Sequence, residues 1–316
     1  MTERRGTAAA IALLLAALAA AGCGLGPGAG VGSVELTVTR EFGREAVLRH
    51  SLEAKESDTV MRALETNADV ETRFGGGFVH SIDGVAEGER GSDPYDWFFF
   101  VDGVESPIGA ADVELKGDER VWWDYRDWSA TNHVPAVVGS WPAPFADGVA
   151  GKSYPVVLEC DGGGSACATA REALEREGAR PASGSPQGAI RMLVGRWDRL
   201  REDPAAQLLE AGPGESGIYA NFEAGVRPSS PSGREQTNAH LMALDEDGAP
   251  ARRFGADAGL VAATSRYGGP PVWLVTGGTP TAVREAAAAL DAAHLRDHYA
   301  VAIEGGKETP LPVVAR

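Results

Sequence analysis

Aromatic residues crowd two short stretches of this chain, DWFFFVDG (96–103) and GDERVWWDYRDW (117–128). Successive residues of a strand point to opposite faces of its sheet. In the first stretch Trp97 and Phe99 then share one face, and Phe98 and Phe100 the other. In the second, Val121, Trp123 and Tyr125 share a face, and Trp122, Asp124, Arg126 and Trp128 the opposite one. Each strand is therefore apolar on both sides, so both faces of its sheet need a cover. A core aromatic buries roughly 150–250 Å², which at about 25 cal/mol per Å² makes it a main stabiliser of a small domain. One set must pack beneath a helix. The other, in which Trp122 and Trp128 alternate with Asp124 and Arg126, is amphipathic and admits two readings. It is a wall for a flat ligand, a sugar or a partner, or it is covered by a second domain or by the segment 131–150.

The rest of the first half supplies the sheet and the helix. In SVELTVTR, Val34, Leu36 and Val38 alternate with polar residues, the period of a half-buried strand, and EAVLRHSLEA reads as the returning arm of a hairpin. SDTVMRALETN changes to helical spacing, with Val60, Met61 and Leu64 on one face and Ser57 or Asp58 as the cap. GGGFVHSIDG gives a short strand, and DWFFFVDG another that ends in an Asp-Gly turn. DVELKGDERVWWDYRDW gives two more around Lys-Gly-Asp. The sum is a small α+β domain over 33–130, a mixed sheet with one helix laid across it in the manner of a β-grasp. Residues 131–153 are rich in Pro, Gly and small side chains without periodicity and read as a linker.

TVMRALE, GGGFVHSIDGV and the block DWFFFVDGVESPIGAADVELKGDERVWWDY resemble the transcobalamin C-terminal-like domain, which bacteria carry in many lipoproteins of unassigned function. The resemblance runs from about Ser33 to Trp128. Its most specific parts are the aromatic strand followed by Asp-Gly (commonly Asn-Gly in that family), the Ile108-Gly109-Ala110 step, and Gly117-Asp118 before a Trp-bearing strand. It implies a β-grasp fold. In the animal vitamin B12 carriers this domain closes over one side of cobalamin, and position by position that points to Gly77, Phe78, Trp97, Phe98 and Phe99. Those carriers also possess a large helical barrel that holds the other face of the corrin, and nothing in this sequence supplies one. Trp122 and Trp128 join the ligand-binding candidates through their place on the second face.

Over residues 154–316 no family resemblance is recognised. Strands at YPVVLEC, RMLVGRWDRL, GIYANFEAG, HLMALDEDG, PVWLVTGG and HYAVAIEGG are interspersed with helices at SACATAREALEREG, DPAAQLLEAG and TPTAVREAAAALDAA. Asp203-Pro204 and Thr279-Pro280 are strong helix starts. The alternation predicts an α/β layered domain over 154–316 with parallel strand pairing. TGGTPT lacks the Gly-Lys-Ser/Thr of a phosphate loop and the full dinucleotide fingerprint, so it reads as a tight strand-to-helix turn. His294 and His298 lie four apart but without the Glu of a metalloprotease helix, and Ser165, Ser216 and Ser265 lack a nucleophile elbow. No catalytic constellation is visible, and neither a metal nor a resident cofactor is expected. His50 and His80 fall on strands and read as structural or exposed.

The opening MTERRGTAAAIALLLAALAAAGC joins two arginines to an apolar run of about fourteen residues, short of the roughly twenty that span a bilayer. It ends AAGC, which resembles the lipobox of bacterial lipoproteins. The expectation is a signal peptide over 1–22, lipid on Cys23, and a Gly-rich tether over 23–32. Cys160 and Cys167 remain, flanking DGGGSA, and in an oxidising compartment they are expected to form a disulfide. A formal net charge of −16 disfavours nucleic acid and anionic head groups as partners. The function expected is a lipoprotein facing the extracellular or periplasmic side. It would bind a small ligand for uptake, a corrinoid or vitamin-like molecule by the resemblance, with a membrane transporter as partner. The alternative is a cell-surface protein that contacts proteins or glycans.

Overall fold

The computed structural model describes residues 29–86, 94–161, 164–184, 186–224, 239–266 and 268–314. The first half holds a five-stranded mixed sheet. β1 (Gly30–Arg40) pairs antiparallel with β2 (Glu45–Lys55) and parallel with β8 (Arg120–Asp127). β8 pairs antiparallel with β6 (Tyr95–Val101), which pairs with the short β7 (Val104–Glu105). β1 buries Val34, Leu36 and Val38, as their alternation requires, and its first residues extend it into the Gly-rich stretch expected to be tether. Helix α1 (Val60–Asn67) lays Val60, Met61, Ala63 and Leu64 into the core against Trp97, Val121, Trp123 and Tyr125. A three-stranded sheet of β3 (Val70–Arg73), β4 (Phe78–Ile82) and β5 (Val85–Ala86) flanks it. The fold is α+β, as expected.

Two local expectations need correcting. The α1 cap is Thr59, whose Oγ1 accepts from the Arg62 N–H at 3.2 Å; Ser57 and Asp58 lie in the preceding turn. The stretch before Gly117 is not a strand. Its backbone bonds go to the start of α1 instead, with Val60 N–H to Val113 O at 2.9 Å and Leu115 N–H to Asp58 O at 2.8 Å. Val113 and Leu115 still bury their side chains, which is the apolar signal that read as a strand.

The second half is built on a six-stranded mixed sheet, edged by β17 (Lys307–Leu311) and β9 (Val156–Cys160). Between them, in order, stand β16 (Ala300–Glu304), β14 (Gly259–Thr264), β15 (Val272–Gly277) and β10 (Ile190–Arg196). β9, β10 and β15 are parallel; β14, β16 and β17 join antiparallel, so the parallel expectation holds for half the sheet. One face carries α2 (Ser165–Arg176) and α6 (Pro280–Ala288), with Leu174, Val283 and Ala286 in the core. The other carries α3 (Trp197–Leu200), α4 (Pro204–Ala211) and a second sheet of β11 (Ala220–Ala224), β12 (Ala239–Leu244) and β13 (Pro250–Arg253). The short α5 (Pro213–Ser216) and α7 (Ala292–Leu295) complete the domain. Asp203 and Thr279 cap α4 and α6 as expected. Cys160 and Cys167 form a disulfide.

The segment 131–153, read as a linker, is packed against both domains over much of its length. It has no regular structure, yet Val134, Val137, Val138, Trp141 and Phe145 are buried. Trp141 and Phe145 pack with Trp273 in the second core, while Val134 and Val137 sit between the domains. Absence of periodicity reports absence of a ladder or helix; it does not report exposure.

Candidate functional site

Between β3 and β4 the chain turns through Phe74, Gly75 and Gly76, all left-handed with φ of 54°, 76° and 95°. A bulky aromatic in that region is uncommon. The turn stands Phe74 clear of the surface, 89% exposed, and brings its ring edge-on to Phe78 with centroids 6.5 Å apart. Phe78 is itself 51% exposed. The loop after β7 lies alongside: a Cβ placed on Gly109 would be 3.9 Å from the Gly77 carbonyl oxygen. Its Ile108 is 53% exposed, and the Ser106 hydroxyl braces the loop by donating to the Ile108 carbonyl at 2.9 Å. Three large apolar side chains thus stand free at one edge of the first domain, with the Arg73 guanidinium and the His80 ring 3.0 Å apart on the strands beneath. Exposed apolar side chains gathered at one edge make it a candidate interaction site.

The structure brings together some of the residues singled out in the sequence and separates others. Gly77 and Phe78 lie at this edge. Trp97 is buried in the first core, its indole N–H donating to the Val85 carbonyl at 3.4 Å and its ring 5.1 Å from Tyr125. Phe99 is half-buried and stacks on Trp123 at 4.8 Å. Phe98 lies under the Arg126 guanidinium, 3.8 Å above its ring. Trp128 is 38% exposed just past β8. Cys23 lies outside the described residues. Phe74 and Ile108 carry much of the exposed surface; the sequence points to Ile108 only as a landmark of the family resemblance and not to Phe74 at all, because a single aromatic beside glycines has no periodicity.

Trp122 does not face solvent. It is packed between the domains in one cluster with Phe42, Phe100, Tyr219 and Tyr299, its own ring 5.5 Å from Phe100 and 5.4 Å from Tyr299. The second face of β8 is therefore covered by the second domain and by the segment after it, the latter of the two readings of that face. Asp124 is buried there too. Its Oδ1 accepts from the Thr39 hydroxyl at 2.5 Å and the Gly43 N–H at 3.1 Å, and its Oδ2 from the Tyr299 hydroxyl at 3.0 Å. The Trp122 indole N–H donates to the same Thr39 oxygen at 2.7 Å. Burial pushes the Asp124 carboxyl up to about 6, against the opposing pull of these donors and of Arg126. Burial likewise raises Asp102, in the β6–β7 turn, to about 7. Gly43, at φ 84°, lets the chains touch: a Cβ there would sit 1.8 Å from the Asp297 carbonyl oxygen. Arg49–Asp297 and Arg44–Glu246 ion pairs flank the contact.

Residues 57–127 match a domain of unknown function (DUF4430). The DUF4430 segment takes in α1 and β3 through β8, so Phe74, Phe78 and Ile108 all lie within it. β1 and β2 of the same sheet, and Trp128, lie outside it. No curated protein matches the chain.

The chemistry available at this edge is recognition. Two rings and a branched aliphatic side chain can cover a flat apolar surface, with Arg73 and His80 near enough to meet a polar rim. Among the described residues no group of three or more His, Cys, Asp or Glu is gathered as metal ligands. His294 Nδ1 lies 2.9 Å from the Asp291 carboxylate. Among the same residues, no helix is long and apolar enough to cross a membrane.

Proposed function

We propose that the protein is a lipid-anchored extracytoplasmic binding protein. Its first domain would capture a small ligand with an extended apolar face for uptake, and the Phe74–Phe78–Ile108 edge would be the contact surface. The observation that carries the reading is that edge, where three large apolar side chains stand exposed inside the DUF4430 segment. The resemblance of the same segment to the transcobalamin C-terminal-like domain makes a corrinoid the first ligand to try. Cys23, in a lipobox-like AAGC, would hold the lipid, and a membrane transporter would receive the ligand. Phe74 is too exposed to lie in a cleft, so the ligand's other face meets a partner or solvent. That same exposure favours the second reading, a surface that contacts a protein or glycan. Cells displaying the full chain should retain added cobinamide or cobalamin after washing. Cys23→Ala should shift the retained corrinoid from the cell pellet to the medium. Equal retention by cells lacking the protein would reject the reading.

A further inference from the structure

The second domain holds a crevice that the reading above does not use. It opens at the carboxyl ends of the parallel strands β9, β10 and β15, with a volume of about 510 Å³. The chain leaves β9 and β15 for α2 and α6 on one face of the sheet, and leaves β10 for α3 on the other. Where neighbouring parallel strands send their connections to opposite faces, a gap opens above their ends, and this is where open α/β sheets take ligands. The size suits a small molecule.

Its lining is cationic in a chain of net charge −16. Arg196 at the end of β10, Arg199 on α3 and Arg284 on α6 all line the crevice. They are not consumed equally by carboxylates. Arg196 is held by Asp198, and the Arg199 Nε stands 4.0 Å from Asp161, itself a lining residue. Among the described residues Arg284 has no carboxylate partner, and its guanidinium donates to the Thr281 hydroxyl at 2.9 Å. The floor is bare backbone at Gly195, where a Cβ would come within 3.0 Å of the Asp161 Cβ and 3.2 Å of Leu200. The rim includes Ser165 and Ala166 in the first turn of α2, a helix start with no side-chain cap, which leaves main-chain N–H groups for a ligand. The Cys160–Cys167 disulfide ties the end of β9 to that turn and so fixes one wall in advance.

We propose that this crevice binds the phosphate group of a small phosphorylated molecule. Guanidinium forks match phosphate oxygens two at a time, and three of them facing one crevice concentrate positive charge there. The three arginines would grip the anion, with Gly195 allowing close approach and the α2 start donating from the opposite wall.

The test is calorimetric titration of the full chain, in non-ionic detergent at low salt, with sodium pyrophosphate, inorganic phosphate and citrate. Pyrophosphate should bind saturably and more tightly than citrate, and added salt should weaken it. Arg199→Gln and Arg284→Gln should each reduce affinity about tenfold, in line with one charge-assisted hydrogen bond. Both side chains are exposed, so neither variant endangers the fold. Arg252→Gln, on the far sheet, should change nothing. No saturable binding, or wild-type affinity in both crevice variants, would overturn the proposal; so would citrate binding tighter than pyrophosphate. The corrinoid test reads a different domain, so either result stands without the other.

Discussion

The two faces of β8 are both buried, yet they are built differently. Val121, Trp123 and Tyr125 point into the core under α1, where their neighbours are Leu36, Leu64 and Trp97. Trp122, Asp124 and Arg126 point at the second domain, among Phe42, Tyr219 and Tyr299, and there the charges are kept. The first face is a core that the domain needs to fold at all. The second is an interface where Asp124 accepts from Thr39 and Gly43 of its own domain and from Tyr299 of the other, while Arg126 Nε and Nη2 and the Tyr219 hydroxyl find no hydrogen-bond partner among the described residues. A buried charge network is weak evidence for stability, and its proposed role here is to select one arrangement of the two domains. On this view Asp124 sets how the domains sit, and the aromatics around it supply the adhesion.

The sharpest way to break the comparison is to truncate one tryptophan on each face. Trp123→Ala should cost about 3–5 kcal/mol, the range for a large aromatic removed from a core. It should lower the melting temperature of the first domain. Trp122→Ala removes a wedge from the interface, and in calorimetry it should separate the two domains into distinct transitions. A single cooperative transition in Trp122→Ala, with splitting in Trp123→Ala, would reverse the assignment of the faces.

Acid should act on the interface in a definite direction. The Asp124 carboxyl in the folded protein lies near 6, above its ordinary value of 3.8, so the folded state holds its proton where the unfolded state releases it. Its contribution is therefore fully present below about pH 4 and is lost as pH rises to about 6. At about 1.4 kcal/mol per pKa unit this is on the order of 3 kcal/mol. Asp102, near 7, extends the decline upward. Melting temperature should fall between pH 4 and pH 7, and Asp124→Asn should flatten the lower part of that decline. A rise over the same range would contradict the burial of these groups.

Tyr299→Phe is a smaller change, about 1–2 kcal/mol, because Asp124 keeps the Thr39 and Gly43 donors. Losing the hydroxyl should push the Asp124 carboxyl higher still and steepen the pH dependence. A variant with unchanged stability and unchanged pH slope would mean that the tyrosine serves only as a ring.

The sequence made the ladders legible. Val34, Leu36 and Val38 alternate, Asp102-Gly103 makes a turn with both residues left-handed, and Thr279-Pro280 opens a helix; each is a local signal that packing did not override. The run GLVAAT, which became the fully buried β14, was missed because a short apolar run without alternation suits a strand or a helix equally. The antiparallel half of the second sheet was missed for a related reason, since strand order is set by contacts distant in sequence. Both faces of the aromatic strands were read correctly, but their cover was not local information. Trp122 meets Tyr299 across more than half the chain, and Trp97 is closed in by Val85. The exposed edge was half visible: Gly77 and Phe78 came through the family resemblance as contacts and Ile108 only as one of its landmarks, whereas Phe74 and the meeting of the two loops needed the fold.

We propose that a ligand is held at this edge and not at the buried tryptophans. The direct test is equilibrium dialysis of the full chain in non-ionic detergent against cobinamide and cobalamin, read by corrin absorbance, with Phe74→Ser and Phe78→Ser combined. Both side chains are largely solvated, so stability should change by less than about 1 kcal/mol. The wild-type chain should retain corrinoid, and the folded double variant should bind it at least tenfold more weakly. Equal retention by the two proteins, or none by the wild type at high micromolar ligand, would contradict the proposal.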